Sequence, residues 1–330
     1  MTRLAVLSAL FASLMPLAAA AQEVQPAYQA IYDDILLADS EATVQSCHAM
    51  AGTLANDSTA QAREDAFTQL AEGWGRVEAS YILGGYDMDA MDYPLLIDMF
   101  HHGKEDLHAS LERAIKSDSA PKKALYKNAY RSITALDDML FSGPWSERRQ
   151  ALAQEITGSL CKRFETVHQG YLDHRDDFLA NPDESLGLLM NAQIQSLYKT
   201  RDWRIAEVAG LTKKTLGQTH PENRQYRWGS ASWPVIGAIL DTHWRLLATD
   251  AAPNISTIAE ARGAGAGLAS VQDMLGEAIE AYKSVPEDNA FAPREAVPII
   301  NGLQRAQNAY YNSLALLIGV TLGLVDADGD

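Results

Sequence analysis

Apolar residues recur along most of the chain at spacings of three and four, and alternating polar and apolar runs between tight turns are scarce. The pattern predicts an all-α protein. Helices are expected at about 24–55, 60–83, 94–116, 120–141, 145–180, 186–213, 232–249, 264–284 and 295–324. Between them lie "GGYDMDAMDYP" at 84 to 94, "SGPWS" at 142 to 146, "NPDES" at 181 to 185, "GQTHPENRQYRWGS" at 217 to 230 and "SVPEDNAFAPRE" at 284 to 295, all rich in residues that stop helices. The break at 181–185 divides the chain into two helical halves, about 22–181 and 186–325, with no clear repeat between them.

One helical phrase breaks the apolar rule. Over 120–141, Tyr126, Tyr130, Ile133, Asp137, Leu140 and Phe141 fall at helical spacing, which sets a carboxylate on an apolar face. A buried acid needs a partner or takes up a proton, because burial disfavours its charge. Asp137 therefore reads as a functional acid or as one satisfied by a neighbouring helix.

A second phrase, "FHHGKEDLHASLERAI" at 100 to 115, sets Leu96, Phe100, Leu107, Leu111 and Ile115 on one stripe. His101, Glu105 and His108 follow on its flank at helical spacing, donors that suit a borderline divalent metal. His102 and Glu105 add an H-x-x-E pair, but the inverted zinc-protease pattern needs a histidine next and Asp106 stands there. The alternative is a solvated helix flank. In "RQYRWGSASWP" at 224 to 234, Arg224, Arg227, Ser230 and Ser232 gather at a helix start, where an anion is held or the helix is simply capped. "GAGAGLAS" at 263 to 270 follows no strand and reads as a helix lead-in rather than a phosphate loop.

Composition narrows the function classes. A hydrophobic fraction of 47% over 330 residues supplies a substantial core. The first residues, "MTRLAVLSALFASLMPLAAAAQEV", have the charged start, apolar run and small-residue end of a secretory signal peptide, with cleavage expected between Ala21 and Gln22. Losing Arg3 with that leader takes the net charge from −16 to −17. So acidic a chain argues against nucleic-acid binding. "LALLIGVTLGLV" at 314 to 325 is too short to span a bilayer and reads as a buried C-terminal helix. Export places Cys47 and Cys161 where a disulfide persists, two buried thiols being the alternative.

Four segments together resemble the imelysin-like proteins, exported bacterial helical proteins also classed as metallopeptidases. They are "AFTQLAEGWGRVEASYILGG" at 66 to 85, "AYRSITALDDMLFSG" at 129 to 143, "RRQALAQEITGSL" at 148 to 160 and "PENRQYRWGSASWPVIGAIL" at 221 to 240. The second is similar to the family's signature helix, G-x-H-x-x-E running into a leucine-rich end. Its Gly falls on Ser132, its His on Thr134 and its Glu on Asp137. The resemblance implies two bundle-like halves with a ligand cleft between them. Asp137 and Thr134 would form one wall, with Arg227, Ser230 and Ser232 opposite.

The function so implied is that of a periplasmic binding protein in iron or other divalent-metal uptake. Its ligand would be a metal ion, a metal chelate or a small anion, and its partner an envelope uptake system. Thr134 lacks the imidazole of the family motif, which weakens a metal centre at that point. A metallopeptidase would need His101, His102, Glu105 and His108 to supply the site instead. The third reading is a non-catalytic helical scaffold.

Overall fold

A computed structural model describes residues 24–56, 58–102, 105–215, 217–250 and 252–322. The expected signal peptide and the acidic C-terminal tail lie outside the described residues. No strand occurs among the described residues, and the fold is all-α. A helix over 24–55 (α1) carries a π-helical stretch at Ile31–Leu37. Ala60–Ala79 (α2) follows, started by the Thr59 side chain, which accepts the Ala62 N–H at 3.1 Å. Tyr93–Ile97 (α3), Leu107–Lys116 (α4) and Pro121–Ala124 (α5) are short pieces. Ile133–Phe141 (α6) leads into the long Glu147–Asp173 (α7), whose cap is Ser146.

Arg175–Ala180 (α8) and Pro182–Lys199 (α9) join the halves, and α9 runs on through a π-helical turn at Thr200–Ala206. Ser232–Leu247 (α10), Ile255–Ala261 (α11), Gly265–Ser284 (α12) and Pro293–Ala309 (α13) complete the second half. A π-helical turn at Tyr310–Leu314 and a last helical piece at Ala315–Ile318 extend α13.

One continuous apolar core runs through both halves. In the first, α1 packs on α2 and α7, and α6 lies on α7; in the second, α12 packs on α13. The two halves meet where α10 lies along α2. Gly75 makes that approach possible, because a side chain there would meet Val235 at 2.9 Å. Cys47 of α1 and Cys161 of α7 are joined by a disulfide, with their Cα atoms 5.5 Å apart.

Three expected helices end differently. The segment at 94–116 is broken between α3 and α4, because two aspartates bond nearby backbone in competition with the helix. Asp98 accepts the Phe100 N–H at 2.9 Å, and Asp106 accepts that of Ala109 at 2.9 Å as the cap of α4. The segment at 120–141 also breaks: Ser132 has extended backbone and caps a new helix by accepting the Ala135 N–H. Tyr126, expected on the buried stripe, is exposed. The C-terminal helix stops at Ile318 because Gly319 turns left-handed at φ 80°, and Leu316 and Leu317 are exposed rather than buried. Among the described residues no helix is long and apolar enough to cross a membrane.

Candidate functional site

The two breaks in the first half open a cleft of about 410 Å³ between the halves. Its first-half wall is formed by Met99 to His102, Glu105 and Leu107 together with Ala129 and Thr134. Opposite stand Glu207, beyond the π-helical turn of α9, and the Glu222–Arg224 segment.

Thr134 is set by its neighbour. The buried Ser132 hydroxyl lies 2.8 Å from the Ala129 carbonyl and 2.9 Å from the Thr134 hydroxyl. Ser132 has one proton, which goes to the carbonyl, so Thr134 donates to Ser132 and keeps its own oxygen as an acceptor at the cleft.

His101 is the most constrained residue of the wall. Its φ of 62° places a non-glycine residue in the left-handed region, which is uncommon and costs about 1–2 kcal/mol. Its ring stacks on Trp203 with centroids 4.6 Å apart, and its Nε2 lies 3.1 Å from a Glu207 carboxylate oxygen. Burial, followed by the charges near His102, Arg204 and Lys214, pushes the imidazole down to about 4, while burial pushes Glu207 up. The neutral ring therefore lies beside the carboxylate as a polar contact rather than an ion pair. A neutral imidazole keeps one ring nitrogen as a lone pair. His102 lines the same cleft, and burial lowers it too.

A buried polar network holds this wall against the second half. Asp98 accepts from the Gln225 amide at 2.7 Å as well as from Phe100, and burial together with the charge of Glu78 lifts it to about 6. Arg204 donates to Gln225 at 2.8 Å and to Glu78, whose other oxygen takes Lys199 at 3.3 Å. No motif points to these groups, or to Glu207 and Trp203. They come from four separate stretches and meet only in the fold.

The residues expected to face the cleft divide. Thr134 and, from the expected metal set, His101, His102 and Glu105 line it. Their expected helical spacing is corrected, because no helix covers 98–102 or 105–106 and His108 points elsewhere. Glu105 pairs with Lys127, while His108 lies 2.8 Å from Asp138 and against Trp228. Among the described residues no three His, Cys, Asp or Glu side chains converge as a metal cage.

Asp137 is corrected as well. It is 1% exposed and is filled by backbone: Trp228 N–H donates to one oxygen at 3.0 Å and Gly229 N–H to the other at 2.9 Å. Ser232 is buried and closes the same loop, accepting the Tyr226 N–H at 2.9 Å and donating to the Tyr226 carbonyl at 3.0 Å. Arg227 is exposed, its guanidinium 4.7 Å from the Trp228 ring. Signature helix and loop therefore do meet, but as a closed contact and not as two walls of an open site. Ser230 and Ser232 line a separate hollow of about 750 Å³ with Trp233 and Phe291, and Arg224 stands between it and the cleft.

The family model for imelysin matches residues 24–314. The crystal structure of an imelysin-like protein from Psychrobacter arcticum 273-4 superposes with a TM-score of 0.75 at 15% identity, covering 92% of this chain and 98% of that one. At that identity the likeness speaks for the fold. No curated protein matches the chain.

Proposed function

The chain belongs to the imelysin family, and from that premise we propose that it is an exported binding protein that takes a metal chelate or similar small anion into the cleft between its halves. The observation that carries this reading is His101, held in a left-handed backbone on Trp203 with its Nε2 3.1 Å from a Glu207 oxygen at the cleft wall. Strain of this kind is kept where surrounding structure over-determines it, and it clusters at ligand sites.

The donor set favours a complex over a bare ion. The free lone pair of His101, the Glu207 carboxylate and the Thr134 oxygen are too few for a protein-built cage, whereas a chelate brings most of its own donors. Arg224 supplies a guanidinium at the opposite wall for the chelate's negative groups. Ferric carboxylate complexes have that chemistry, and a leader sequence would put the protein in the periplasm, where it would hand iron to an envelope uptake system. A peptidase reading has no support from the His101 to His108 segment, whose imidazoles separate.

Titration of the mature protein with ferric citrate, followed by Trp fluorescence and iron analysis after gel filtration, tests the proposal. Saturable uptake that weakens at least tenfold in Glu207→Gln and in Arg224→Gln is expected. No uptake, or uptake untouched by both substitutions, would overturn it.

A further inference from the structure

On the other side of the His102 and Trp203 wall lies a second hollow, about 470 Å³, between the end of α2 and α9. Its walls are aromatic: Tyr81, fixed by donating its hydroxyl to the Ala90 carbonyl at 2.6 Å, with Tyr198 and Trp203. Its rim is apolar and includes Met91, Leu95 and Leu188, of which Met91 and Leu95 are exposed. Lys199 belongs to the same lining.

Of the two cations in this lining, Arg204 and Lys199, Lys199 keeps donors to spare. Its ammonium carries three donors, and its hydrogen bond in the structure is to one Glu78 oxygen at 3.3 Å. The other Glu78 oxygen is taken by Arg204, which also donates to Gln225. Glu78 thus stands between two cations, and Lys199, partly exposed and 5.7 Å from the Trp203 ring centroid, keeps N–H donors that this carboxylate does not take. In a chain of net charge −16, an ammonium recessed among three aromatic rings is a specific feature. Concave, mostly apolar sites with a few placed polar groups are the usual form of small-molecule pockets.

We propose that this hollow binds a planar aromatic carboxylate, its ring between Tyr81, Tyr198 and Trp203 and its carboxylate on Lys199. The site is separate from the cleft that holds His101 and Thr134, and it stands or falls independently of ferric citrate binding there.

The test is calorimetric titration of the mature protein with 2-naphthoate, beside 2-naphthol as the uncharged ring and hexanoate as the ringless acid. Saturable 2-naphthoate binding at one site is expected, at least tenfold tighter than either control. Lys199→Gln should weaken 2-naphthoate at least tenfold and leave 2-naphthol unchanged. Gln195→Trp, at an exposed position of the lining, should block the hollow without touching the core, and ferric citrate uptake should persist in it. Absence of saturable 2-naphthoate binding, equal binding of 2-naphthol, or binding unchanged in both variants would overturn the proposal.

Discussion

Asp137 on α6 accepts the backbone N–H of Gly229 at 2.9 Å, a bond that ties the signature helix to a loop 92 positions further along the chain. Gly229 fits because it lacks a side chain: a Cβ there would lie 2.9 Å from the Phe141 ring and 3.0 Å from the same Asp137 oxygen. Phe67 of α2 packs between Phe141 and Tyr226, so the contact rests on the shared core of both halves.

Removing the acceptor should therefore cost stability rather than ligand. Asp137→Ala leaves two N–H donors unpaired in a dry place and opens a small cavity, for an expected loss of about 2–4 kcal/mol in urea denaturation. Gly229→Ala should destabilise too, by about 1–3 kcal/mol from overpacking. Ferric citrate binding per folded molecule should be retained in both. If Asp137→Ala unfolds at the wild-type urea midpoint, its carboxylate is not the tie described.

The same carboxylate gives stability a pH dependence of known sign. Burial lifts Asp137 to about 7, against its ordinary value near 4, even though two N–H donors favour the anion. The native state then holds a proton that the unfolded chain has already released. This contribution is greatest below about pH 4 and declines as pH rises toward about 7. His243 acts oppositely. Enclosed in the core, it is pushed down to about 3, so the unfolded chain takes a proton that the native state refuses, and stability falls as pH drops below about 6.5. Denaturation curves between pH 4 and 7.5 should show wild type losing stability relative to Asp137→Asn as pH rises. Parallel curves for the two proteins would contradict the buried-acid account.

Helical periodicity was enough to place α1, α2, α7, α10 and α12, because each is long and buries one continuous face. It failed across 94–141, where Asp98, Asp106 and Ser132 use their side chains to start and stop short helices inside an otherwise helical pattern. The cleft depends on those breaks. Thr134 and His101 were visible in sequence as motif positions. Glu207, Trp203 and the Glu78, Asp98, Arg204 and Gln225 network were not, because nothing local distinguishes a charged residue on a helix surface from one turned toward another half. Asp137 was legible as an anomaly, but periodicity gives no sign that its partners are backbone groups 91 and 92 residues away.

The Cys47–Cys161 disulfide closes a long loop, with a sequence separation of 114. In the chain-entropy model such a crosslink stabilises by about 5 kcal/mol. Both cysteines are buried, so the native protein should resist dithiothreitol until α1 and α7 part locally. The Cys47→Ala/Cys161→Ala double variant should lose a large part of that stability while keeping its helical circular dichroism. Rapid reduction of the folded protein, or a double variant as stable as wild type, would show that the crosslink adds little.

His101 offers the sharpest separation of binding from folding. Its left-handed backbone is one that glycine adopts freely, so His101→Gly relieves a cost of about 1–2 kcal/mol while losing the Trp203 stack and the polar contact with Glu207. Those terms nearly offset one another in stability, and the unfolded chain gains the freedom of a glycine. The net change should stay within about 1.5 kcal/mol in urea denaturation. Binding has no such compensation, because glycine carries no lone pair to offer the chelate; ferric citrate affinity should drop at least tenfold. His101→Asn, which tolerates the same backbone and keeps a polar side chain, should fall between the two. A His101→Gly protein that binds like wild type would mean that the strain serves only the packing of Trp203, and the cleft would have to be read without its imidazole.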